Sequence, residues 1–326
     1  MKTRTLGKNG FIVGEIGLGC WQFGGDWGEI EEDAADNIMS ASLERGVDFF
    51  DTANVYGGGR SEEWIGRFLS AHPERVVVAT KYGRGPGAYP DHYTEEGLRH
   101  AIDESRRRMR VEAIDLLQLH CIPIGILRDG RVFEWLRRAQ GDGLIRHFGA
   151  SVETVEEGML CLKNEGILSL QIIFNIFRQK PAEELLPRAR ECGVGIIVRL
   201  PLASGLLSGR FTADTKFSAT DHRHYNRDGD AFNIGETFAG LPLAKGAELA
   251  DHIKPLVPSG MTMAQMAIRW ILDHDAVSVI IPGASSVAQA KENAAVSSLP
   301  PLSPELQAEL SAFYRDEVRE HIRGPY

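Results

Sequence analysis

One rhythm recurs eight times along this chain. Short apolar runs at Glu15–Gly19, Phe49–Ala53, Val76–Lys81, Ile114–His120, His147–Ser151, Leu170–Asn175, Gly195–Pro201 and Val277–Pro282 alternate with longer amphipathic stretches. Strand–helix alternation predicts a parallel sheet, because parallel neighbours need a crossover long enough to hold a helix. Eight repeats predict closure into a (β/α)8 TIM barrel, since open doubly wound sheets usually have fewer strands. A length of 326 residues suits one such domain over 1–326, with no linker, second domain or low-complexity tract. Ahead of the first strand, Arg4–Leu6 and Phe11–Val13 flank Gly7-Lys8-Asn9-Gly10, which predicts a β-hairpin. Ser61 before Glu62 and Glu63, and Thr94 before Glu95 and Glu96, predict helix N-caps with acidic first turns. The rhythm breaks between Leu202 and about Ala244, where Gly, Asp, His and Asn are frequent. A long loop inside a compact domain is usually functional. This one follows the seventh strand, so it is expected over the barrel mouth.

Several of the apolar runs end in reactive side chains. Asp51 and Lys81 end the second and third runs, Tyr56 lies just past Asp51, and His120 closes the fourth. The carboxyl ends of the strands are where such a barrel keeps its chemistry. A phenol titrates near ~10 and is a poor acid at neutral pH. A neighbouring ammonium favours the phenolate and lowers that value, and a carboxylate holds the ammonium in place. The set reads as a proton-donating machine.

These residues sit in motifs that resemble the aldo-keto reductase superfamily over nearly the whole chain. The motifs are Gly17-Leu18-Gly19-Cys20-Trp21, Asp51-Thr52-Ala53-Asn54-Val55-Tyr56-Gly57, Ala79-Thr80-Lys81, Leu119-His120, Gly149-Ala150-Ser151, and Ile281-Pro282-Gly283-Ala284-Ser285-Ser286 with Glu292-Asn293. Each is weak alone; all in this order are specific. The last resembles the branch that includes potassium-channel β-subunits and bacterial sugar or aldehyde reductases. The resemblance implies that the hairpin closes the barrel bottom. It also implies hydride transfer from reduced nicotinamide to a carbonyl carbon. Tyr56 is then the proton donor, Lys81 lowers its pKa, Asp51 pairs with Lys81, and His120 orients the carbonyl oxygen.

For the cofactor, the resemblance implies Gly19, Trp21, Asp51, Ser151, Gln171, Arg199, Pro201, Leu202, Ser204, Leu206, Ser208, Gly283, Ser285, Gln289, Glu292 and Asn293. Backbone N–H groups at the start of the last helix suit a phosphate. The chain departs from the common pattern at three places. Val152 stands where an asparagine usually follows the carboxamide-binding serine. Gly283 and Gln289 replace a basic pair. Arg199 replaces an aromatic residue that stacks on the nicotinamide, where its charge would disfavour the oxidised ring. Charge for a 2′-phosphate is then expected from Arg210, Lys216 and Arg223, which favours NADPH over NADH. Trp21, Tyr56, Tyr82 and His120 are expected to meet the substrate, with Trp27 and the loops after His120 and Leu202 shaping the pocket.

Other classes fit less well. A formal net charge of −9 argues against nucleic acid or an anionic membrane as partner. Cys20, Cys121, Cys161 and Cys192 are scattered without a C-x-x-C pair, which fits a reducing cytoplasm and no metal. There is no apolar signal core or membrane-length run. Gly17-x-Gly19-x-x-Gln22 misses the dinucleotide fingerprint at its sixth position. His222-Arg223-His224 has metal-like spacing, but in a loop rather than on an early strand. Arg106-Arg107-Arg108 reads as a solvated helix face. The expected activity is NADPH-dependent reduction of a sugar-type aldehyde, an aldose or oxidised hexose. A broad-specificity aldehyde reductase, a cofactor-binding regulatory module and a metal-dependent barrel hydrolase are the rivals. Oligomeric state, including a homo-oligomer, stays open.

Overall fold

A computed structural model describes residues 1–72 and 76–326. The hairpin is present as β1 (Thr3–Thr5) and β2 (Ile12–Gly14), paired antiparallel with Arg4 opposite Val13. Eight strands follow: β3 (Leu18–Gly19), β4 (Phe49–Asp51), β5 (Val77–Tyr82), β6 (Ile114–His120), β7 (Ile145–Ser151), β8 (Ile167–Ile173), β9 (Gly195–Arg199) and β10 (Val277–Ile280). They form one parallel sheet in chain order, and Ile16–Ile280 and Gly19–Gly283 bridges join its two ends. The barrel expected from the alternation is therefore there.

Boundaries moved where backbone geometry decides. β8 starts at Ile167, directly after Gly166 turns with φ of 87°, not at Leu170. A register irregularity between Phe148 and Gly149 absorbs the extra residue against β7. β9 stops at Arg199 because Leu200 takes φ of 51° and a proline follows.

Strand alternation sorts the side chains into two layers. Phe49, Val77, Ala79, Leu116, Ile197 and Val279 fill the barrel interior, and Leu6 and Val13 of the hairpin join them from below. The opposite faces pack against the helices, as with Phe50 and Val78. One step up the same inward columns the residues turn polar: Phe49 gives way to Asp51, Ala79 to Lys81, Leu116 to Gln118 and His120, and Ile197 to Arg199.

Helix starts follow the expected chemistry at Thr94, whose hydroxyl accepts from Gly97 N–H. Thr154 with Glu157 and Thr262 with Gln265 form capping boxes. Ser61 is not a cap. The helix Arg60–Ala71 takes Gly59 as its N-cap, two residues earlier, and the buried Ser61 hydroxyl instead donates to Cys20 O while accepting from Thr52. The long loop carries only short turns, among them Ala203–Ser208, His222–Tyr225 and Ile234–Glu236, before the helix Leu243–Ile253.

Candidate active site

The inward polar residues converge at the carboxyl end of the barrel. Lys81 Nζ lies 2.5 Å from Asp51 Oδ1, 2.7 Å from Thr52 O and 3.4 Å from the Tyr56 hydroxyl. The ammonium also sits 5.0 Å from the Tyr56 ring centroid, and the His120 ring is 6.1 Å from that ring. All four residues belong to one cluster, as the sequence suggested. Gln118 and Gln171 complete it from β6 and β8, donating to Asp51 Oδ2 at 3.0 and 2.7 Å. The Ser151 hydroxyl donates to Gln171 Oε1 at 3.2 Å. Gln118 went unnoticed in the sequence, although its signal was present: it lies two residues before His120, on the same face of an otherwise apolar strand.

The electrostatics differ from expectation in one respect. Burial pushes the Tyr56 phenol above its ordinary value; Lys81 pulls it down but is outweighed, and Asp51 opposes Lys81. For Lys81, burial disfavours the ammonium, yet Asp51 and Tyr56 leave its pKa raised. Burial, then Arg84 and Lys81, holds His120 well below the usual range, so its imidazole is neutral.

A cavity of about 710 Å³ opens above this cluster. Tyr56, His120, Asp51, Gln171 and Arg199 line its floor side, and Ser285, Gln289, Glu292 and Asn293 line it beyond β10. Trp21 stacks on Tyr56 at 5.9 Å with 21° between planes, and Trp27 and Phe232 add aromatic wall. The long loop spans the mouth, as expected. On one side Asp26 holds it: Oδ1 accepts from Tyr225 at 2.8 Å, and the carbonyl accepts from His222 N–H at 2.8 Å. On the other side Arg84 holds Glu236 at 2.6 Å. Arg84 also binds Glu153 at 2.6 Å, and Asn233 donates to Glu153. Arg84, Glu153 and Glu236 were missed, since nothing local in a loop sequence announces a partner 69 to 152 positions away.

The expected cofactor residues divide. Gly19, Trp21, Pro201, Leu202, Ser204, Ser208, Arg210, Gly283 and the residues beyond β10 line the cavity. Gly283 is tight: a Cβ there would meet Gln22 Nε2 at 1.8 Å. Ser285 donates through N–H and hydroxyl to Gln289 Oε1, and Ser286 caps the helix Val287–Ala295. Ser151 is buried beneath the wall rather than in it. The Leu206 side chain turns into the core against Gly246. Lys216 lies elsewhere, in a small depression with Phe217, His224, Arg227, Asp228 and Asp230. Arg223 reaches the cavity, but its guanidinium is tied to Asp221 at 2.5 and 2.9 Å and lies 4.9 Å over Trp27. The Arg210 side chain makes no ion pair among the described residues.

The substrate-side expectation for Tyr82 also changes. Tyr82 follows the inward Lys81 and therefore faces outward, packing on Tyr93 at 6.2 Å away from the cavity. The Arg199 guanidinium contacts Val152 O at 3.3 Å and Cys121 Sγ and Glu236 at 3.5 Å. These contacts put it on the His120 side of the mouth. His222 is buried between Trp21 and Trp27, at 4.7 and 4.3 Å, and burial lowers its pKa to about 4. Cys121, Glu153 and Glu236 offer atoms within 4.8 Å of one another. Arg84 and Arg199 already occupy that space with positive charge, and burial pushes the Cys121 thiol up to about 11. The set does not fit a cation.

Strain concentrates here. Cys121, directly after His120, has φ of 48°, and Leu200, directly after Arg199, has φ of 51°. Each such residue costs about 1–3 kcal/mol and persists where the surroundings demand it.

A closed parallel barrel with phenol, ammonium, carboxylate and imidazole around one mouth defines a barrel oxidoreductase. The chain belongs to the aldo/keto reductase family, whose sequence model matches residues 15–315. It is 28% identical over 300 residues to the uncharacterized oxidoreductase YqkF of Bacillus subtilis, covering 90% of each chain. It is 27% identical to an Arabidopsis thaliana protein described as a probable voltage-gated potassium channel subunit beta, covering 93% of this chain and 94% of that one. The solved glycerol dehydrogenase AKR11B4 of Gluconobacter oxydans superposes with a TM-score of 0.79 at 26% identity, covering 99% and 98%.

Proposed function

We propose that this protein reduces an aldehyde or ketone to the alcohol with NADPH, with Tyr56 as proton donor. The observation that carries the reading is the Asp51–Lys81–Tyr56 chain ending beside a neutral His120 in one large cavity. The cavity fits a dinucleotide. The Gln22 amide lies close over Gly283, the start of the helix Val287–Ala295 opens onto the cavity, and Ser285, Gln289 and Asn293 offer polar atoms. These residues would hold the adenosine end, with Gln171 at the other, backed by the Ser151 hydroxyl. When bound, the reduced nicotinamide supplies a hydride to the carbonyl carbon.

The chain's own residues do the rest. Lys81 stabilises the phenolate left on Tyr56 when its proton passes to the developing alkoxide. Asp51, fixed by two amides, keeps Lys81 charged. The neutral His120 is able to donate one N–H to the carbonyl oxygen and so fix its position. The loop strapped by Asp26 and Arg84 limits water at the mouth. Arg210 supplies charge for a 2′-phosphate.

For the substrate we favour a sugar-type carbonyl, an aldose or an oxidised hexose. Aromatic walls at Trp21, Trp27 and Phe232 beside the polar Arg84 and Glu153 suit a hydroxylated chain. Glycerol dehydrogenase among the structural relatives supports the same choice. Unpaired thiols at Cys20, Cys121, Cys161 and Cys192 suit a cytoplasmic setting. The test is a carbonyl panel read by NADPH absorbance loss, with sugars carrying and lacking an oxidised C6. Reduction of simple aldehydes at far higher kcat/KM than any sugar would reject the sugar assignment.

A further inference from the structure

Three guanidiniums and two carboxyls meet beside His120. Arg84 and Arg199 line the cavity with Glu153 and Glu236, and the buried Arg178 stands behind, its Nη2 3.3 Å from Glu153 O. With both carboxyls ionised the group still holds one positive charge in excess, inside a chain of net charge −9.

Of the two guanidiniums in this group that line the cavity, Arg199 is the loosely held one. Arg84 is well satisfied, with contacts of 2.6, 2.6 and 3.2 Å to the two carboxyls. Arg178 has three backbone carbonyls at 3.3 to 3.4 Å and lies 4.8 Å over the Tyr326 ring. Arg199 has nothing nearer than 3.3 Å, and its Nε is buried without an acceptor. A guanidinium carries five donors, and a buried charge without good partners is costly. The strained turns at Cys121 and Leu200 flank this arrangement.

We propose that the carbonyl substrate carries a carboxylate, received by Arg199 on the His120 side of the cavity. The proposal rests on the carbonyl-reducing reading given above. The direction of the side chain sets this site apart from a dinucleotide phosphate. Arg199 ends β9, the neighbour of β10, but its guanidinium turns the other way to residues that follow β6 and β7, whereas Ser285 and Gln289 follow β10. The net positive charge suits an anion, and the planar fork of arginine matches a carboxylate. The ligand has no need to break the Arg84–Glu236 pair, because Arg199 holds Glu236 only at 3.5 Å.

The test compares ω-oxo acids with their methyl esters and with ω-oxo alkyl phosphates, using NADPH and the intact protein. Wild type should favour acid over ester by about tenfold or more in kcat/KM, mainly through KM, the scale of a hydrogen bond to a charged group. Arg199→Gln should bring that ratio to near one, and Arg199→Lys should keep part of it. Calorimetry with butanoate gives a readout without turnover: binding by wild type and loss in Arg199→Gln supports the anion site even if no carbonyl is reduced. Equal use of acid and ester, or a ratio that survives Arg199→Gln, overturns the proposal while leaving carbonyl reduction standing. A preference for the phosphate overturns the carboxylate assignment.

Discussion

Gln118 and Gln171 converge on one oxygen of Asp51 from strands that do not pair with each other, at 3.0 Å from β6 and 2.7 Å from β8. Gln171 also donates to Gln118 Oε1 at 3.3 Å. Asp51 is thus fixed across the barrel's cross-section. Gln118→Leu removes one hydrogen bond to a buried carboxylate and leaves its oxygen less satisfied. The expected loss is about 1.5–3 kcal/mol of stability, read by urea denaturation. A looser Asp51 should also weaken its hold on Lys81 and so shift the alkaline limb of the kcat–pH profile, where the Tyr56 proton is lost. An unchanged midpoint and profile would show that Gln171 suffices alone.

Tyr56→Phe tests the proton donor. Turnover should fall by about 10²–10⁴, the contribution of a positioned general acid, while the Kd for NADPH stays within about threefold, since a phenol proton is small against the many cofactor contacts that remain. Stopped-flow turnover and fluorescence titration measure the two. A loss below about tenfold would remove Tyr56 from the role.

The 2′-phosphate assignment now rests on Arg210. Arg210→Ala should weaken NADPH more than NADH, by about tenfold for one charged contact. Arg223→Ala should weaken both alike, because that guanidinium serves Asp221 and Trp27. Lys216→Ala should change neither. Competitive titration of both cofactors decides among the three.

Glu153 gives a pH prediction. Burial first, then Glu236, raises its pKa from 4.5 to about 7. The folded state therefore binds a proton that the unfolded chain has released. The associated stability is fully present below pH 4.5 and is lost as pH rises to about 7. The amount is about 3 kcal/mol. Subtracting the stability–pH curve of Glu153→Gln from that of wild type should expose this slope. Parallel curves would mean that Glu153 is ionised throughout.

How far the sequence reached can be traced through individual residues. Asp51, Lys81 and His120 could be read because each ends an apolar run, and period-two alternation fixes which way they face. The same alternation sends Tyr82 outward, a step the motif resemblance had passed over. Gln118 carried the same signal but lacked a motif to draw notice. The loop residues were harder. Arg223 and Lys216 lay in a segment without periodicity, so their direction depended on partners such as Asp221. The tie between Arg84 and Glu236 spans 152 positions, and neither side has a local reason to be where it is. The rise in the Tyr56 pKa follows from the depth of burial, which a string of residue types does not measure.

The hairpin that fills the barrel floor with Leu6 and Val13 has a kinetic consequence. A vessel stopped at one end has a single door. A bulky dinucleotide and a small carbonyl compound would share that door, with the reacting end of the dinucleotide deepest if it is to reach Tyr56. Traffic becomes sequential: the large guest enters first and leaves last. Steady-state kinetics should show an ordered pattern, with oxidised dinucleotide competing against the reduced form and not against the carbonyl compound.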